Sequence, residues 1–330
     1  MTGSPAMNRR RALLLASLLP IAPALAQAPW PQRPLRFIVP FAAGGNSDVT
    51  ARLFANRITA RLGQPIVVEN RSGATGAIGT EAVVRAAPDG YTMLIGSPGS
   101  IVNGPLLQAN RRYDPITDLV PVALLGSVPM VIIVKPPLPV RTLAELVAWS
   151  KAQPRGVTIG TSGIGGANHL PLELFIAATG ANLVHVPYRG GGSTLPDFVA
   201  GNVDGVLIEM PSVLDLHRDG RGRILGVAAP ARSAQLPDIP TFIEQGLTDF
   251  LAASFVGLFA PAGTPAPIVA TVQAAIAEAV ADPEILARLL SFGADPPTPA
   301  ELTTPGFALL LHGELAKARR AIAIAGLQPA

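Results

Sequence analysis

The stretch Phe37-Ile-Val-Pro-Phe-Ala-Ala-Gly-Gly-Asn-Ser-Asp-Val-Thr-Ala-Arg52 predicts a buried strand, a glycine loop and the start of a helix, in that order. It opens with a short apolar run that breaks at Gly44-Gly45. Apolar residues then recur at helical spacing from Val49 to Leu62. Asn46-Ser47-Asp48 suits a helix start, because Asn and Ser cap the first turn and an acidic residue there complements the helix dipole. Such an arrangement presents free backbone N–H groups to an anion, although a single loop of this kind is also common as a plain connection.

The same strand, loop and helix pattern recurs along the chain, which favours an α/β fold with a largely parallel sheet. Two further predicted strands, at 66–69 and 92–95, each run into a loop that contains Gly and Ser. The second half repeats the pattern, and its predicted strands at 157–160 and 183–186 lead into glycine loops. Ligands of open α/β sheets bind beyond the carboxyl ends of the strands, so these loops are candidates for one shared site.

The sequence predicts two extended segments that cross between two halves of the molecule. They are the apolar segments at 128–136 and 253–261. We therefore expect a clamshell of two α/β lobes joined by two extended crossovers. Lobe 1 would comprise residues 27–128 plus 257–330, and lobe 2 residues 129–256. A proline-rich loop inside one domain would leave a similar pattern, so that alternative stays open at this point.

Residues 1–26 have the pattern of a secretory signal peptide, with three consecutive arginines, an apolar run and small residues at the end. Cleavage after Ala26 or Ala28 fits, the arginines leave both the Sec and the twin-arginine routes open, and a retained anchor is the alternative. Removing the three arginines leaves 22 basic and 22 acidic residues. This balance gives no reason to expect nucleic acid as a partner. We expect a periplasmic protein.

Motifs spread over almost the whole chain beyond residue 39 resemble the Bug family, the TctC-like solute receptors of tripartite tricarboxylate transport systems. The stretches that carry the resemblance lie at 40–52, 68–79, 87–92, 113–122, 169–175, 185–188, 201–204, 237–241 and 260–265. The resemblance implies a type II periplasmic-binding-protein fold, whose two lobes close on a small solute.

The family resemblance also implies a function. It implies a monomer that captures a small organic acid for membrane transporter subunits of the tripartite tricarboxylate type, without a cofactor or a metal. Binding in the family relies on backbone amides and ordered waters, which can hold a carboxylate without a buried lone cation. A ligand-sensing receptor for a membrane signalling partner would use the same clamshell, and it stays an alternative.

Carried over residue by residue, the resemblance implies ligand contacts from both lobes. The predicted site residues are Phe41, Ala42, Gly44, Gly45 and Ser97 in lobe 1, and Ser162, Gly163, His169, Arg189, Gly190 and Asp204 in lobe 2. For His169, fixing the neighbouring loop is as good an interpretation as touching the solute. The family usually has Lys where this chain has Arg189, and a small polar residue where it has Gly166. These departures leave the identity of the solute and the roles of Arg189 and Glu209 open.

An enzyme is the competing class of protein, and the motifs disfavour it. The chain has no G-x-S-x-G nucleophile elbow, no G-x-x-x-x-G-K-[ST] loop, no H-E-x-x-H helix and no Cys. A periplasmic enzyme is therefore the less favoured hypothesis. We expect a binding protein with no catalytic residues.

Overall fold

The structure is a computed structural model that describes residues 1–3, 30–248 and 250–329, so almost all of the predicted signal peptide lies outside the described residues. The strands are β1 Leu35–Val39, β2 Ile66–Asn70, β3 Thr92–Gly96, β4 Leu119–Val134, β5 Val157–Thr161, β6 Leu183–Pro187, β7 Gly205–Glu209, β8 Arg223–Val227 and β9 Ala253–Pro261. The helices are α1 Asn46–Leu62, α2 Ala77–Val84, α3 Gly104–Leu107, α4 Leu143–Ala152, α5 His169–Thr179, α6 Gly191–Val199, α7 Leu214–Arg218, α8 Ala266–Ala281, α9 Pro283–Ser291 and α10 Thr304–Ala325.

Two groups of parallel strands are joined through a pair of antiparallel strands. The strand order is β2-β1-β3-β9-β4-β7-β5-β6, with β8 also paired to β4. In the first group β1 is parallel to β2 and β3, and in the second β5 is parallel to β6 and β7. This architecture confirms the predicted α/β class of the fold.

The long strand β4 passes from one group of strands to the other. Its first part, from Leu119 to Pro129, pairs with β9, and its last part, from Met130 to Val134, pairs with β7 and β8. The segments predicted as crossovers thus fall in β4 and β9, which are hydrogen-bonded neighbours. We name the β2-β1-β3-β9 side the first lobe and the β7-β5-β6 side the second lobe. The residue boundaries proposed for the lobes stay a prediction.

Apolar side chains cover both faces of each lobe's sheet, as parallel sheets require. In the first lobe one cluster packs β1 and β3 against α1 and α8, and another packs the opposite face against α10. The second lobe has two comparable clusters around β4, β5 and β7. Leu170 of α5 belongs to the cluster around α10, so the two lobes also meet through these two helices.

Phe307 attaches the C-terminal helix α10 to the crossover strand β9. Its fully buried ring lies with its centroid 5.1 Å from that of Phe259 and 6.0 Å from that of Phe255. A Cβ built on Gly257 would lie 2.1 Å from the Phe307 ring, so the strand leaves room for the ring only because residue 257 is glycine. Helix and crossover therefore form one packed unit.

We expect Phe307→Ala to lower the free energy of unfolding by about 3–5 kcal/mol, because it leaves a cavity under α10. Leu309→Ala, on the same helix at a side chain that is 75% exposed, should change it by less than about 0.5 kcal/mol. Urea denaturation followed by circular dichroism measures both changes. Equal effects of the two variants would contradict the packing described here.

Candidate functional site

A small cavity lies between the two lobes at the carboxyl ends of strands β1, β3, β5 and β7. The volume available to the centre of a water molecule is about 30 Å³, enough for one or two waters. The residues that line it come from loops that follow these strands and from the starts of α1 and α6: Phe41, Ala42, Gly45, Asn46, Ser47, Asp48, Ser97, Ser162, Ala167, Gly191 and Glu209. The strand directions thus bring both lobes' loops to one place.

The lobes are closed over this cavity, and side chains of the first lobe hydrogen-bond to the backbone of the second. The Asn103 amide donates to the Gly166 carbonyl at 3.0 Å, and the Thr75 hydroxyl donates to the Ile164 carbonyl. Both acceptors lie in the loop between β5 and α5. This loop is therefore in direct contact with the first lobe in the closed form.

The first-lobe wall of the cavity is rich in hydrogen-bond donors. Gly45 caps α1 through its carbonyl, which accepts from the N–H groups of Asp48 and Val49. The first N–H groups of the helix have no acceptor within it, and the positive end of the helix dipole lies here. The amide nitrogen Nδ2 of Asn46 is also buried and has no hydrogen-bond partner among the described residues. These groups can together hold an anion.

The carboxylate of Asp48 reaches the same wall but is fully engaged within the protein. It accepts from the Gly44 N–H at 3.0 Å and the Asn70 amide at 3.0 Å, and it forms an ion pair with Arg52 at 2.9 Å. Burial alone would raise the pKa of Asp48, but the hydrogen bonds from Arg52, Gly44 and Asn70 outweigh it and lower the pKa. Asp48 therefore fixes the glycine loop and offers no free charge to a ligand.

The second-lobe wall presents an acceptor at Ser162. The Ser162 hydroxyl donates to Asn168 Oδ1 at 2.7 Å, and the Ser162 N–H donates to the same oxygen at 2.9 Å. Asn168 in turn donates to the Leu207 carbonyl at 2.7 Å, so β7 holds this loop in place. Because the hydroxyl proton is used within the protein, the Ser162 oxygen is left to accept from a ligand.

Glu209 closes the second-lobe wall at the carboxyl end of β7. The residue is only 8% exposed, and no Lys or Arg among the described residues forms an ion pair with it. Burial raises the pKa of the Glu209 carboxyl, while its own N–H and the Ser254 hydroxyl lower it by smaller amounts. A carboxyl in this position is costly to ionise without a partner.

Comparison with known proteins places the chain in a family. Residues 50–327 match the sequence profile of the tripartite tricarboxylate transporter family receptor. BugT of Bordetella pertussis is 37% identical over 307 residues, which cover 91% of this chain and 94% of BugT. The chain belongs to this receptor family.

Solved structures similar to this receptor share its fold. The R. palustris protein Rpa4515 with adipate has a TM-score of 0.88 at 33% identity, covering 92% of this chain and 100% of that protein. MatC from Rhodopseudomonas palustris with bound malate has a TM-score of 0.85 at 32% identity, covering 89% and 100%. The periplasmic binding protein BugD has a TM-score of 0.86 at 32% identity, covering 91% and 99%. The predicted family and clamshell fold are thereby confirmed.

The receptor brings five of the eleven predicted site residues to the cavity: Phe41, Ala42, Gly45, Ser97 and Ser162. Gly44 and Gly190 lie beside it, where Gly44 donates to Asp48 and a Cβ on Gly190 would be 3.3 Å from the Ala42 nitrogen. Gly163 and Arg189 line a separate depression at the outer rim, against residues 73–76 of the first lobe. Arg189 is exposed there and is not among the residues that line the cavity.

The structure does not bring Asp204 to the cavity, contrary to the expectation. Asp204 precedes β7, at the end opposite to Glu209, and its carboxylate accepts from the N–H and hydroxyl of Thr158 and pairs with Lys135. Burial alone would raise the pKa of Asp204, but the hydrogen bonds from Lys135 and Thr158 and the charge of Lys135 outweigh burial, so the pKa is lowered. Asp204 thus joins β4, β5 and β7 and is a structural residue of the second lobe.

His169 also lies outside the cavity, behind the loop that follows β5. Its Nδ1 accepts from the Gly165 N–H at 3.1 Å, and its ring stacks on His185 with centroids 4.4 Å apart. Burial, followed by the charge of His185, lowers the pKa of His169 to about 4, so the ring is neutral at physiological pH and can accept this bond. Of the two interpretations of His169, the structure favours the one in which it fixes the loop.

One group of side chains among the described residues is close enough together to bind a common metal ion. It consists of His169, Glu173 and His185, whose ligand atoms lie within 4.8 Å of one another. The ring planes of the two histidines are 24° apart and stacked. A metal lies in the plane of each imidazole that binds it, and one point cannot lie in both of these planes near both rings. A metal would therefore require one ring to turn.

Four polar residues that line the cavity are not among the predicted site residues: Asn46, Ser47, Asp48 and Glu209. The sequence favours helix-start roles for Asn46, Ser47 and Asp48, and it leaves the role of Glu209 open. A signal for Glu209 is present, because an acidic residue ends an otherwise apolar strand at its carboxyl end.

Among the described residues, none of the helices combines the length and the apolar character needed to span a bilayer.

We expect Gly192→Ala to hinder closure of the lobes. A Cβ on Gly192 would lie 2.2 Å from the Ala43 carbonyl oxygen of the other lobe, a backbone atom that cannot turn aside. Affinity for a ligand bound in the closed form should fall at least about tenfold, which a closing penalty of about 1.4 kcal/mol already produces. Gly313→Ala is the control, because Gly313 is exposed on α10 and its Cβ would meet nothing within 4 Å. Calorimetric titration that gives both variants the same affinity would disprove this closed geometry.

We expect Glu209→Gln to change how stability depends on pH. A raised folded-state pKa means that the Glu209 carboxyl adds stability below its unfolded pKa of about 4.3 and loses it as the pH rises through the folded value. The unliganded variant should therefore gain stability over the wild type as the pH rises from about 4 to neutral. Urea denaturation across this range measures the difference, and a difference independent of pH would show that Glu209 is not desolvated.

Proposed function

We propose that this protein captures a small organic acid in the periplasm and delivers it to membrane transporter subunits of the tripartite tricarboxylate type. The predicted signal peptide and the periplasmic location of BugD support the compartment. The family supports the transporter as partner. Adipate and malate in two similar structures support a carboxylate as the class of ligand.

The observation that carries the proposal is the unpaired amide of Asn46 at the start of α1. A buried donor without an acceptor costs free energy, roughly 1–3 kcal/mol, unless a ligand satisfies it. It lies beside backbone N–H groups that the helix leaves free, and the helix dipole adds a positive potential. A carboxylate that enters the cavity satisfies these donors together.

Capture follows from the two-lobed architecture. In an open form the first-lobe donors are hydrated, and closure replaces that water with the ligand and with the second lobe's loops. The start of α6 then lies across the cavity from the start of α1, so both helix ends contribute to holding the ligand. The cavity of this form holds only one or two waters, so a solute enters while the lobes are open, and the lobes then close around it less tightly than they do here.

A binding protein explains the site better than an enzyme does. The cavity is lined by helix ends, amides, hydroxyls and the carboxyls of Asp48 and Glu209, and His169 lies outside it with both ring nitrogens facing protein groups. The receptors and solute-bound proteins that the chain is similar to support the same conclusion.

A thermal-shift screen with mono-, di- and tricarboxylates, including adipate and malate, tests the function. A ligand present at 100 times its dissociation constant should add about 2.7 kcal/mol of stability. For the best ligand, Asn46→Ala should weaken binding about ten- to a hundredfold, because it removes a hydrogen bond to a charged group.

Asn110→Ala is the matched control, since Asn110 is exposed on a turn outside the cavity. It should leave the affinity unchanged. The proposal fails if no carboxylate stabilises the protein, or if Asn46→Ala binds the best ligand as tightly as the wild type does.

A further inference from the structure

We infer that the solute carries a positively charged nitrogen in addition to its carboxylate, and that Glu209 binds this nitrogen and selects for it. The inference rests on the proposed function, because it assumes that the cavity between the lobes is the ligand site. It adds a second recognition element, on the lobe opposite to the carboxylate-binding helix end, and with it a class of zwitterionic solutes.

Glu209 differs from Asp48 at the cavity, and from Asp204 at the opposite end of β7, in having no balancing cation among the described residues. Asp48 has Arg52, and Asp204 has Lys135. Within the described part of the chain, no basic side chain lies within ion-pair distance of Glu209, although only 8% of the residue is exposed. An acid kept in such a place is destabilising for the empty protein and becomes favourable when a cation reaches it.

Donors and acceptors of the cavity come from different kinds of element. Donors lie at the helix ends, as the Asn46 amide and the first N–H groups of α1 and α6. Acceptors lie at the ends of β5 and β7, as the Ser162 oxygen, whose proton is already donated to Asn168, and the Glu209 carboxyl. A plain dicarboxylate satisfies the donors and repels Glu209, whereas a zwitterion satisfies both sets.

A charged nitrogen fits Glu209 better than a neutral hydroxyl does. An ammonium group brings up to three donors and a full charge, so it can bond Glu209 and Ser162 at once and neutralise the carboxylate. A hydroxyl brings one donor and leaves the buried negative charge in place. Closure of the lobes excludes water and strengthens this difference.

Matched acids that differ only at one carbon test the inference. The probes are succinate, malate and aspartate, which carry hydrogen, hydroxyl and ammonium there, together with glutarate, 2-hydroxyglutarate and glutamate, and the pair butyrate and 4-aminobutyrate. Isothermal titration calorimetry at pH 7 gives each dissociation constant. In at least one set the amine should bind about ten- to a hundredfold more tightly than the amine-free acids.

Glu209→Gln should abolish this preference while it binds the amine-free acid at least as well as the wild type does, which also shows that the variant is folded. Asp215→Asn removes the same charge from a side chain in the second lobe that is 93% exposed, and it should keep the preference.

The two proposals fail in different ways. If amine-free acids bind as well as the amines in every set, or if Glu209→Gln weakens all members of a set equally, the inference is wrong while acid binding stands. If no acid in any set or in the carboxylate screen binds, both are wrong.

Discussion

Closure of the two lobes buries polar groups whose charge or hydrogen-bonding capacity the described residues leave at least partly unsatisfied. The Asn46 amide, the N–H groups at the start of α1 and the Glu209 carboxyl all meet in a space that holds one or two waters. A water-filled open form satisfies these groups, and an empty closed form does not. An enclosed polar ligand would lower the free-energy cost of closing the lobes over these groups. In the proposed function, ligand binding and lobe closure thus meet the same hydrogen-bonding requirement.

The rest of the site exists to hold those groups in position. Asp48 ties the glycine loop to α1 through Gly44 and Arg52, and Asn168 ties the opposite loop to β7. His169 supports that same loop from behind, as a neutral acceptor for the Gly165 N–H. Each of these side chains is saturated with protein partners. The contrast between saturated supporting residues and unsaturated cavity residues separates structural from functional polar groups in this molecule.

Much of the fold and part of the site could be predicted from sequence. Strands and glycine loops could be predicted because apolar runs and glycines are local signals. The family could be identified because its motifs occur in this chain in the expected order. Asp204 and Glu209 could not be told apart from the local sequence. They lie at opposite ends of β7, and only the direction of this strand in the sheet decides which of them faces the cleft. Parallel strands place their carboxyl ends there, so Glu209 reaches the cavity and Asp204 pairs with Lys135 at the far end. The unpaired state of Asn46 could not be predicted, because it depends on every neighbour that fails to reach it.

The pairing of β4 with β9 has a consequence for how the lobes can move. The two segments that connect the lobes are hydrogen-bonded to each other along the junction. Pro129 lies opposite Ala253 at the point where β4 stops pairing with β9 and begins to pair with β7. Such a ribbon flexes across its thin dimension and resists shear and in-plane rotation. Any movement of the lobes relative to each other would bend this ribbon at the junction rather than slide its strands past one another.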